Sequence, residues 1–132
     1  TDQESPGPWH ERLPHFRLEF TPSAGEELQS EYFVPREHAA EGLRALHDCS
    51  SVFSPFLMVS EVRAIAADSL LLSPHSEKHV GASGSVGFHF TWHKREEDVM
   101  SVALPAIEKA LEPFGARPHW GKLFAMERAR LE

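Results

Sequence analysis

The feature that most constrains the fold is a strict alternation of side-chain character between residues 85 and 92. Successive side chains of an extended chain point to opposite faces, so this alternation predicts a β-strand with two different faces. One face carries the aromatic side chains of Phe88, Phe90 and Trp92. The other face carries the polar side chains of His89, Thr91 and His93. We therefore predict a strand with an apolar face for the core and a polar face that is available for chemistry.

Three further segments predict strands. Residues 15–20 alternate apolar and charged side chains, and a turn follows them at residues 21–25, which contain proline and glycine. Residues 28–34 form a second candidate, and the short loop before them predicts a hairpin with the first. Residues 56–66 are rich in Val, Ile and Leu and predict a third strand.

Two segments have the apolar periodicity of amphipathic helices. Residues 36–47 follow a proline, which favours the first turn of a helix. Residues 96–111 begin with an acidic turn, and Pro105 predicts a kink within them. The predicted apolar face of this second helix comprises Val99, Val102, Ala106, Ala110 and Leu111. Between the third and fourth strands, residues 68–84 predict a long loop with a short extended piece at 70–72.

The order strand, strand, helix, strand, strand, helix predicts an α+β domain of ferredoxin-like type, with an antiparallel sheet and two main helices on one face. A chain of 132 residues has room for a single core. Residues 1–14 carry three prolines and no apolar periodicity, which indicates a linker-like lead-in to a domain over residues 15–130. The chain does not begin with Met, and residues 131–132 match the Leu-Glu that a C-terminal affinity tag leaves behind, so we expect a piece of a longer protein.

The composition excludes several classes of function. Twenty acidic against thirteen basic side chains give a net charge of -7, which repels nucleic acid and anionic lipid. No apolar run approaches the roughly 18 residues that a membrane span needs. The single cysteine, Cys49, excludes an internal disulfide framework and favours a reducing compartment. We therefore expect a cytoplasmic domain without nucleic-acid or membrane partners.

Polar chemistry is concentrated near the C-terminus, in residues 118–122 (PHWGK). The helical pattern before them ends at a glycine and a proline, so this stretch lies on a loop at the end of an element. One interpretation is structural, with Trp120 in the core and Lys122 in solvent. The other is a functional loop, since imidazole, indole and ammonium groups lie beside a glycine that permits close approach.

Charged side chains on the third predicted strand form a second candidate. Glu61 and Arg63 are two residues apart, so they share one face of an otherwise apolar strand. A structural ion pair would explain them. A ligand with several hydroxyl groups is the alternative, because a carboxylate accepts hydrogen bonds and a guanidinium donates them. With His89 and Thr91 on the neighbouring polar face, four polar side chains would converge on one sheet surface.

Other kinds of site receive little support. The spacings His75-x-x-x-His79 and His89-x-x-x-His93 suit a metal on a helix, but these residues fall in a loop and a strand, and no cysteine or carboxylate set completes the site. The sequence contains no G-x-S-x-G nucleophile motif and no glycine fingerprint of a nucleotide-binding loop. We expect no metal site and no serine hydrolase.

Three motifs carry a resemblance to a known family. The runs VSEVRAI, GFHFTWHK and EPFGARPHWGKLF are similar to the C-terminal part of the alditol (xylitol) oxidases, in the flavoprotein group that includes the sugar-lactone oxidases and vanillyl-alcohol oxidase. The similarity covers about residues 15–126, and H-W-G-K is its most specific element. It implies a cap (substrate) domain with an antiparallel sheet, lying over an FAD that an N-terminal domain of the same parent chain binds covalently.

The resemblance also implies roles for individual residues. Those expected to bind substrate are Glu61, Arg63, His89, Thr91 and Lys122, and those expected to contact the cofactor are Lys122 and His119. The implied reaction oxidises the terminal CH–OH of a polyol such as xylitol or sorbitol to an aldose, with O2 as acceptor and hydrogen peroxide as product. Lys122 would stabilise charge on the cofactor, and His89 would accept the hydroxyl proton or hydrogen-bond to its acceptor. Without the FAD domain, the piece alone is expected to be inactive.

Two alternatives stay open beside an alditol oxidase. Within the oxidase class, the resemblance also fits a sugar-1,4-lactone oxidase similar to D-arabinono-1,4-lactone oxidase. Outside that class lies a non-catalytic α+β binding domain, because one fold serves many functions. The binding-domain alternative predicts that Glu61, Arg63, His89 and Lys122 are dispersed, whereas the oxidase interpretation requires them to cluster at one open edge.

Overall fold

The structure is a computed structural model in which residues 6–8 and 27–131 are described. In this part of the chain, four antiparallel strands form one sheet in the order β2-β3-β1-β4. The strands are β1 (Glu27–Pro35), β2 (Leu57–Ile65), β3 (Ser85–His93) and β4 (Arg117–Pro118). The two central strands, β1 and β3, are buried over most of their length, whereas β2 lies at an edge and is largely exposed.

Helices and turns connect the strands. The α-helices in the described residues are α1 (Ala39–Asp48), α2 (Ser50–Phe53), α3 (Glu77–Val80), α4 (Glu96–Asp98) and α5 (Leu104–Leu111). A π-helical turn, Val99–Ala103, joins α4 to α5, and 3-10 turns lie at Arg36–His38, Ser54–Phe56, Glu112–Phe114 and Arg128–Arg130. None of these helices has both the length and the hydropathy of a membrane span.

The chain order β1-α1-β2-β3-α5-β4, combined with the strand order of the sheet, is the ferredoxin-like arrangement. The predicted α+β class with its antiparallel sheet and two main helices is therefore confirmed. One strand of the sheet was not predicted. β1 pairs with β3 on one side, and on its other side it pairs with β4. The strand predicted at 15–20, its turn at 21–25 and its hairpin lie outside the described residues, as does most of the lead-in at 1–14.

The core lies between the main helices and the aromatic face of β3. Phe88, Phe90 and Trp92 are all buried, as the alternation predicts. The Phe90 and Trp92 rings stack with centroids 5.3 Å apart, and Trp92 Nε1 donates a hydrogen bond to Ser30 Oγ at 2.9 Å. A Cβ at Gly42 in α1 would lie 3.1 Å from the Phe88 ring. The glycine that weakens the helix propensity therefore lets α1 approach the sheet closely.

The apolar face predicted for residues 96–111 is partly wrong. Three predicted core residues are exposed or only half-buried, namely Val102, Ala106 and Ala110, whereas Leu104 and Ile107 are fully buried. The π turn at Val99–Ala103 adds a residue to one turn, which rotates later residues away from the simple α-helical period. Pro105 is the second residue of α5, in the first turn of the helix, where its missing N–H is tolerated.

The extended piece predicted at residues 70–72 is wrong, because these residues belong to a turn and not to a strand. The Asp68 carboxylate accepts hydrogen bonds from the Leu70 backbone N–H at 2.9 Å and from the Ser73 hydroxyl at 2.6 Å. A carboxylate that binds the backbone two residues later turns the chain, and this competes with strand pairing. The predicted loop also contains α3, whose four residues are too few to show a period.

Candidate functional site

The polar candidates lie on the sheet face opposite the main helices, which we call the polar face. Glu61 on β2 pairs in register with His89 on β3, and His89 pairs with Glu31 on β1. Because paired residues share a face, these three side chains form a row across the sheet. Arg63 and Gln29 lie on the same face, each two residues from a member of the row. The strands therefore bring together residues that are far apart in sequence.

Glu31 is the centre of the cluster. Its side chain is only 3% exposed, yet its carboxylate is bonded to two cations. Lys122 Nζ donates to Oε2 at 2.9 Å, and Arg63 Nη1 lies 3.2 Å from Oε1 and 3.3 Å from Oε2. These two partners offset the desolvation of the carboxylate, which would be costly for an unpaired buried charge.

Glu61 and Arg63 form an ion pair, with 2.7 Å between Arg63 Nη2 and Glu61 Oε2. The hydrogen bond from the guanidinium lowers the pKa of the Glu61 carboxyl below its ordinary value. The two side chains are 53% and 42% exposed, respectively, so they form the solvent-accessible rim of the cluster. Arg63 also binds Glu31 and thereby bridges two carboxylates, which goes beyond the simple surface ion pair of the structural interpretation.

His89 is buried at the centre of the row. Its Nε2 lies 3.3 Å from Gln29 Oε1, and Gln29 Nε2 donates to Glu27 Oε1 at 3.1 Å, which turns the amide oxygen towards the imidazole. Its Nδ1 is 3.3 Å from Glu61 Oε2 but has no hydrogen bond, unlike every other buried side-chain nitrogen or oxygen in the described residues. Burial, followed by the charges of Lys122 and Arg63, lowers the His89 pKa.

The segment that carries Lys122 is held against β1. Gly115 adopts a left-handed conformation with φ 65° and ends the preceding 3-10 turn. After β4, the His119 backbone N–H donates to the Glu31 carbonyl at 2.8 Å, and the Leu123 N–H donates to the Gln29 carbonyl at 2.9 Å. The Lys122 side chain is 15% exposed. It is therefore not the solvated lysine of the structural interpretation.

A second anchor lies on the opposite face of β1. Glu108 on α5 is buried, and its Oε1 accepts hydrogen bonds from the Tyr32 hydroxyl at 2.6 Å and from the Ala125 backbone N–H at 2.7 Å. Burial, reinforced by Glu108, raises the pKa of Tyr32, so the phenol stays protonated and donates. The segment after β4 is thus fixed to the sheet on one side and to a helix on the other.

His119 and Trp120 lie at the turn of this segment. His119 Nδ1 accepts a hydrogen bond from the Gly121 backbone N–H at 3.0 Å, and its ring lies 5.9 Å from that of Phe33. Trp120 is 61% exposed, so the interpretation that places it in the core is wrong. These residues line an open cavity of about 320 Å³ together with Pro74 and His75.

Thr91 completes the predicted set. It is buried on β3, two residues from His89 on the polar face, and it pairs with Gln29 and Val59. The sequence reasoning missed Glu31 and Gln29. The signal was present, since polar side chains with hydrogen-bonding amide or carboxylate groups recur at every second residue, 27, 29 and 31.

The histidine pairs that invited a metal interpretation have other surroundings. His75 Nδ1 lies 2.8 Å from Ser85 Oγ, and burial lowers the pKa of His75. His93 is exposed at the end of β3. Within residues 6–8 and 27–131, no group of three or more His, Cys, Asp or Glu side chains is arranged to hold a metal ion.

Comparison with known proteins supplies the family. Residues 25–132 match the family described as D-arabinono-1,4-lactone oxidase. The chain belongs to this family. An alditol oxidase from Streptomyces sp. (strain IKD472 / FERM P-14339) is 48% identical to it over 126 residues, which are 96% of this chain and 29% of the relative. The chain thus spans less than a third of the length of the relative that it matches.

The family assignment confirms the resemblance carried by the three motifs. In this member of the D-arabinono-1,4-lactone oxidase family, the matched region contains β1 to β4 and therefore the whole cluster around Glu31. Glu61, Arg63, His89 and Lys122 are brought together, as the oxidase interpretation requires. They lie across the polar face, and Glu61 and Arg63 reach solvent at its rim.

Proposed function

We propose that this chain is the substrate-binding cap of an FAD-dependent alditol oxidase, and that its polar face binds the polyol. The observation that carries the proposal is the buried Nδ1 of His89, which has no hydrogen-bond partner although charged groups surround it. A buried polar atom without a partner costs free energy, and a substrate hydroxyl would supply the missing donor. The alditol oxidase relative supports the choice of substrate class.

The rim of the cluster suits a chain of hydroxyl groups. Each hydroxyl of a polyol both donates and accepts a hydrogen bond. Glu61 offers acceptor oxygens, and Arg63 offers N–H donors at the same exposed rim. The Thr91 hydroxyl lies deeper on the same face and can act in either sense. These three side chains would bind and orient neighbouring hydroxyls of the substrate.

His89 is the proposed proton acceptor. Oxidation of a CH–OH group removes a hydride from carbon and a proton from oxygen, so a base at the hydroxyl assists the reaction. The lowered pKa of His89 favours the neutral imidazole. Donation from Nε2–H to Gln29 Oε1 selects the tautomer in which Nδ1 carries a lone pair. The partnerless atom is thus the one that can accept the proton.

The donors on the loop fit a flavin. The Lys122 ammonium has three N–H groups, and one is bonded to Glu31. Because His119 Nδ1 accepts from Gly121, its Nε2 carries the proton in the neutral ring and is available to donate. Both groups would contact acceptor atoms of FAD, and Lys122 would place positive charge beside it. When bound, FAD would accept the hydride and pass its electrons to O2 to give hydrogen peroxide.

The domain organisation follows from this proposal. Residues 15–130 would form the cap and residues 1–14 the lead-in. FAD would be bound mainly by an N-terminal domain of the parent chain, so the isolated chain is expected to be inactive. The single Cys49 favours a cytoplasmic location.

A second candidate is oxidation of a sugar 1,4-lactone. The family description favours it, and the same buried base would serve, because a lactone is also oxidised at a carbon that bears a hydroxyl. The exposed Glu61 and Arg63 fit an open-chain polyol better, since it presents more hydroxyls to the rim than a ring does. Direct comparison of the two substrate classes decides between them.

The test uses a full-length oxidase that contains this chain, with hydrogen peroxide production as the measurement. We expect kcat/KM for xylitol and sorbitol to exceed that for 1,4-lactones. His89→Asn should lower kcat/KM for the alditol by about 100-fold or more, because general base catalysis contributes that much. His93→Asn is the matched control, since this exposed histidine lies on the same strand. Preference for lactones would favour the second candidate, and equal activity of both variants would refute the role of His89.

A further inference from the structure

We propose that Glu31 is a positioning residue, which holds the Arg63 guanidinium and the Lys122 ammonium in place on the polar face, and that Gly87 leaves the space for its carboxylate. The inference rests on the proposed function, since it concerns the same face. Glu31 itself is buried and is already bonded to both cations. It would therefore act through them rather than by touching the substrate.

The sheet geometry explains why a glycine is needed. β1 and β2 are not neighbours, because β3 lies between them, so Glu31 and Arg63 belong to strands about 10 Å apart. Arg63 pairs in register with Gly87 on β3, and its side chain passes over this position to reach Glu31. A Cβ at Gly87 would lie 2.9 Å from Glu31 Oε1 and 3.3 Å from the Phe33 ring. The φ of Gly87 is not positive, so the backbone conformation does not require a glycine there. The glycine is required because a side chain would occupy the space of the Glu31 carboxylate.

The charges explain why a carboxylate is needed. Arg63 and Lys122 both approach Oε2 of Glu31, so without that charge two like charges would face each other and separate. The Glu31 backbone carbonyl independently accepts a hydrogen bond from His119. Glu31→Gln therefore removes the charge but leaves the main-chain connection to the loop. This separates positioning of the cations from support of the backbone.

The first experiment measures the rate at which individual lysines of the full-length protein are acetylated, using mass spectrometry. It is done under native conditions, at a temperature where each variant is folded. Wild-type Lys122 should react more slowly than the exposed Lys94 and Lys109. In Glu31→Gln and in Gly87→Ala, the Lys122 rate should rise towards those of Lys94 and Lys109, which should not change. Gly42→Ala is the matched control, because its new methyl group meets the Phe88 ring on the opposite face, and it should leave Lys122 protected.

The second experiment measures turnover of xylitol by the full-length enzyme. Displacing positioned groups by about 1 Å can cost 10²-fold in rate, so we expect kcat/KM to fall by about that factor in Glu31→Gln and Gly87→Ala. Gly42→Ala should keep the wild-type value.

The outcomes separate the two proposals. Unchanged Lys122 acetylation in Glu31→Gln would overturn the positioning role, and so would faster acetylation with unchanged kcat/KM. If the wild-type full-length protein oxidised no alditol, the proposed function would fail. The acetylation rates would still decide whether Glu31 holds Lys122.

Discussion

Replacing Lys122 with Met is expected to destabilise the fold by more than the loss of a surface lysine does. Its Nζ lies 2.9 Å from Glu31 Oε2, and the two side chains are 15% and 3% exposed. Hydrogen bonds to charged groups contribute about 1.5 to 3 kcal/mol, whereas exposed ion pairs contribute about 0.2 to 1 kcal/mol. Arg63 still compensates Glu31 after the substitution, so we expect a coupling free energy between Lys122 and Glu31 of about 2 kcal/mol.

The assay is a double-mutant cycle on the free energy of unfolding, measured by urea denaturation with circular dichroism. The four proteins are the wild type, Lys122→Met, Glu31→Gln and the double variant, and non-additivity gives the coupling free energy. A control cycle uses Arg95→Met and Asp98→Asn. This pair is as short, at 2.7 Å, but its side chains are 55% and 41% exposed, so we expect a coupling of about 0.3 to 0.5 kcal/mol.

Salt separates the two pairs further. Raising the NaCl concentration should reduce the coupling in the exposed control pair and leave most of it in the buried pair, because screening acts mainly on exposed charges. Additivity of Lys122→Met and Glu31→Gln within about 0.5 kcal/mol would refute the reasoning. Lys122 would then be a solvated loop lysine, and the cluster would lose its centre.

Two further perturbations test other parts of the structure. Burial holds the His89 pKa below 6.5, so near this pH the unfolded state binds a proton that the folded state excludes. The free energy of unfolding should therefore fall as the pH drops through 6.5 towards the folded pKa. The fall is at most about 1.4 kcal/mol per pH unit. In thermal melts, the melting temperature should fall less between pH 7.5 and pH 5.5 for His89→Gln than for the wild type. The control His47→Gln, at an exposed position, should show the same fall as the wild type. Glu108→Ala leaves the buried Tyr32 hydroxyl without its acceptor, so urea denaturation should show a loss of about 2 to 4 kcal/mol. The exposed Glu112→Ala should cost less than about 0.5 kcal/mol.

Side-chain periodicity predicted the elements that have a clear period. The alternation on β3 indicated both its strand and its aromatic core face, and the two-residue spacing of Glu61 and Arg63 indicated their common face. By contrast, β4 has only two residues, too few to show a period. Its pairing depends on contacts with β1. The π turn could not be predicted either, because it alters the period on which helix prediction depends.

The candidate site was predictable in part, because most of its predicted residues lie on β2 and β3, where the alternation of side chains indicates which residues share a face. Glu31 was missed since its importance comes from Lys122, which is 91 residues away in sequence, and from Arg63, which reaches it across an intervening strand. The polar side chains at residues 27, 29 and 31 indicate a polar face of β1, but they do not indicate these non-local partners. The burial of Lys122 likewise depends on tertiary contacts, so the loop motif alone left both of its interpretations open.

The most direct test of the proposed function is the rate at which xylitol reduces the flavin of a full-length oxidase that contains this chain, measured anaerobically by stopped-flow absorbance. Lys122→Met should slow this reduction by about 100-fold, because oriented charge in a water-poor site contributes that much to the rate. Lys94→Met, at an exposed position, should reduce its flavin at the wild-type rate. All three proteins are compared below their melting temperatures. If Lys122→Met also reduces its flavin at the wild-type rate, the assignment of this face to substrate oxidation is contradicted.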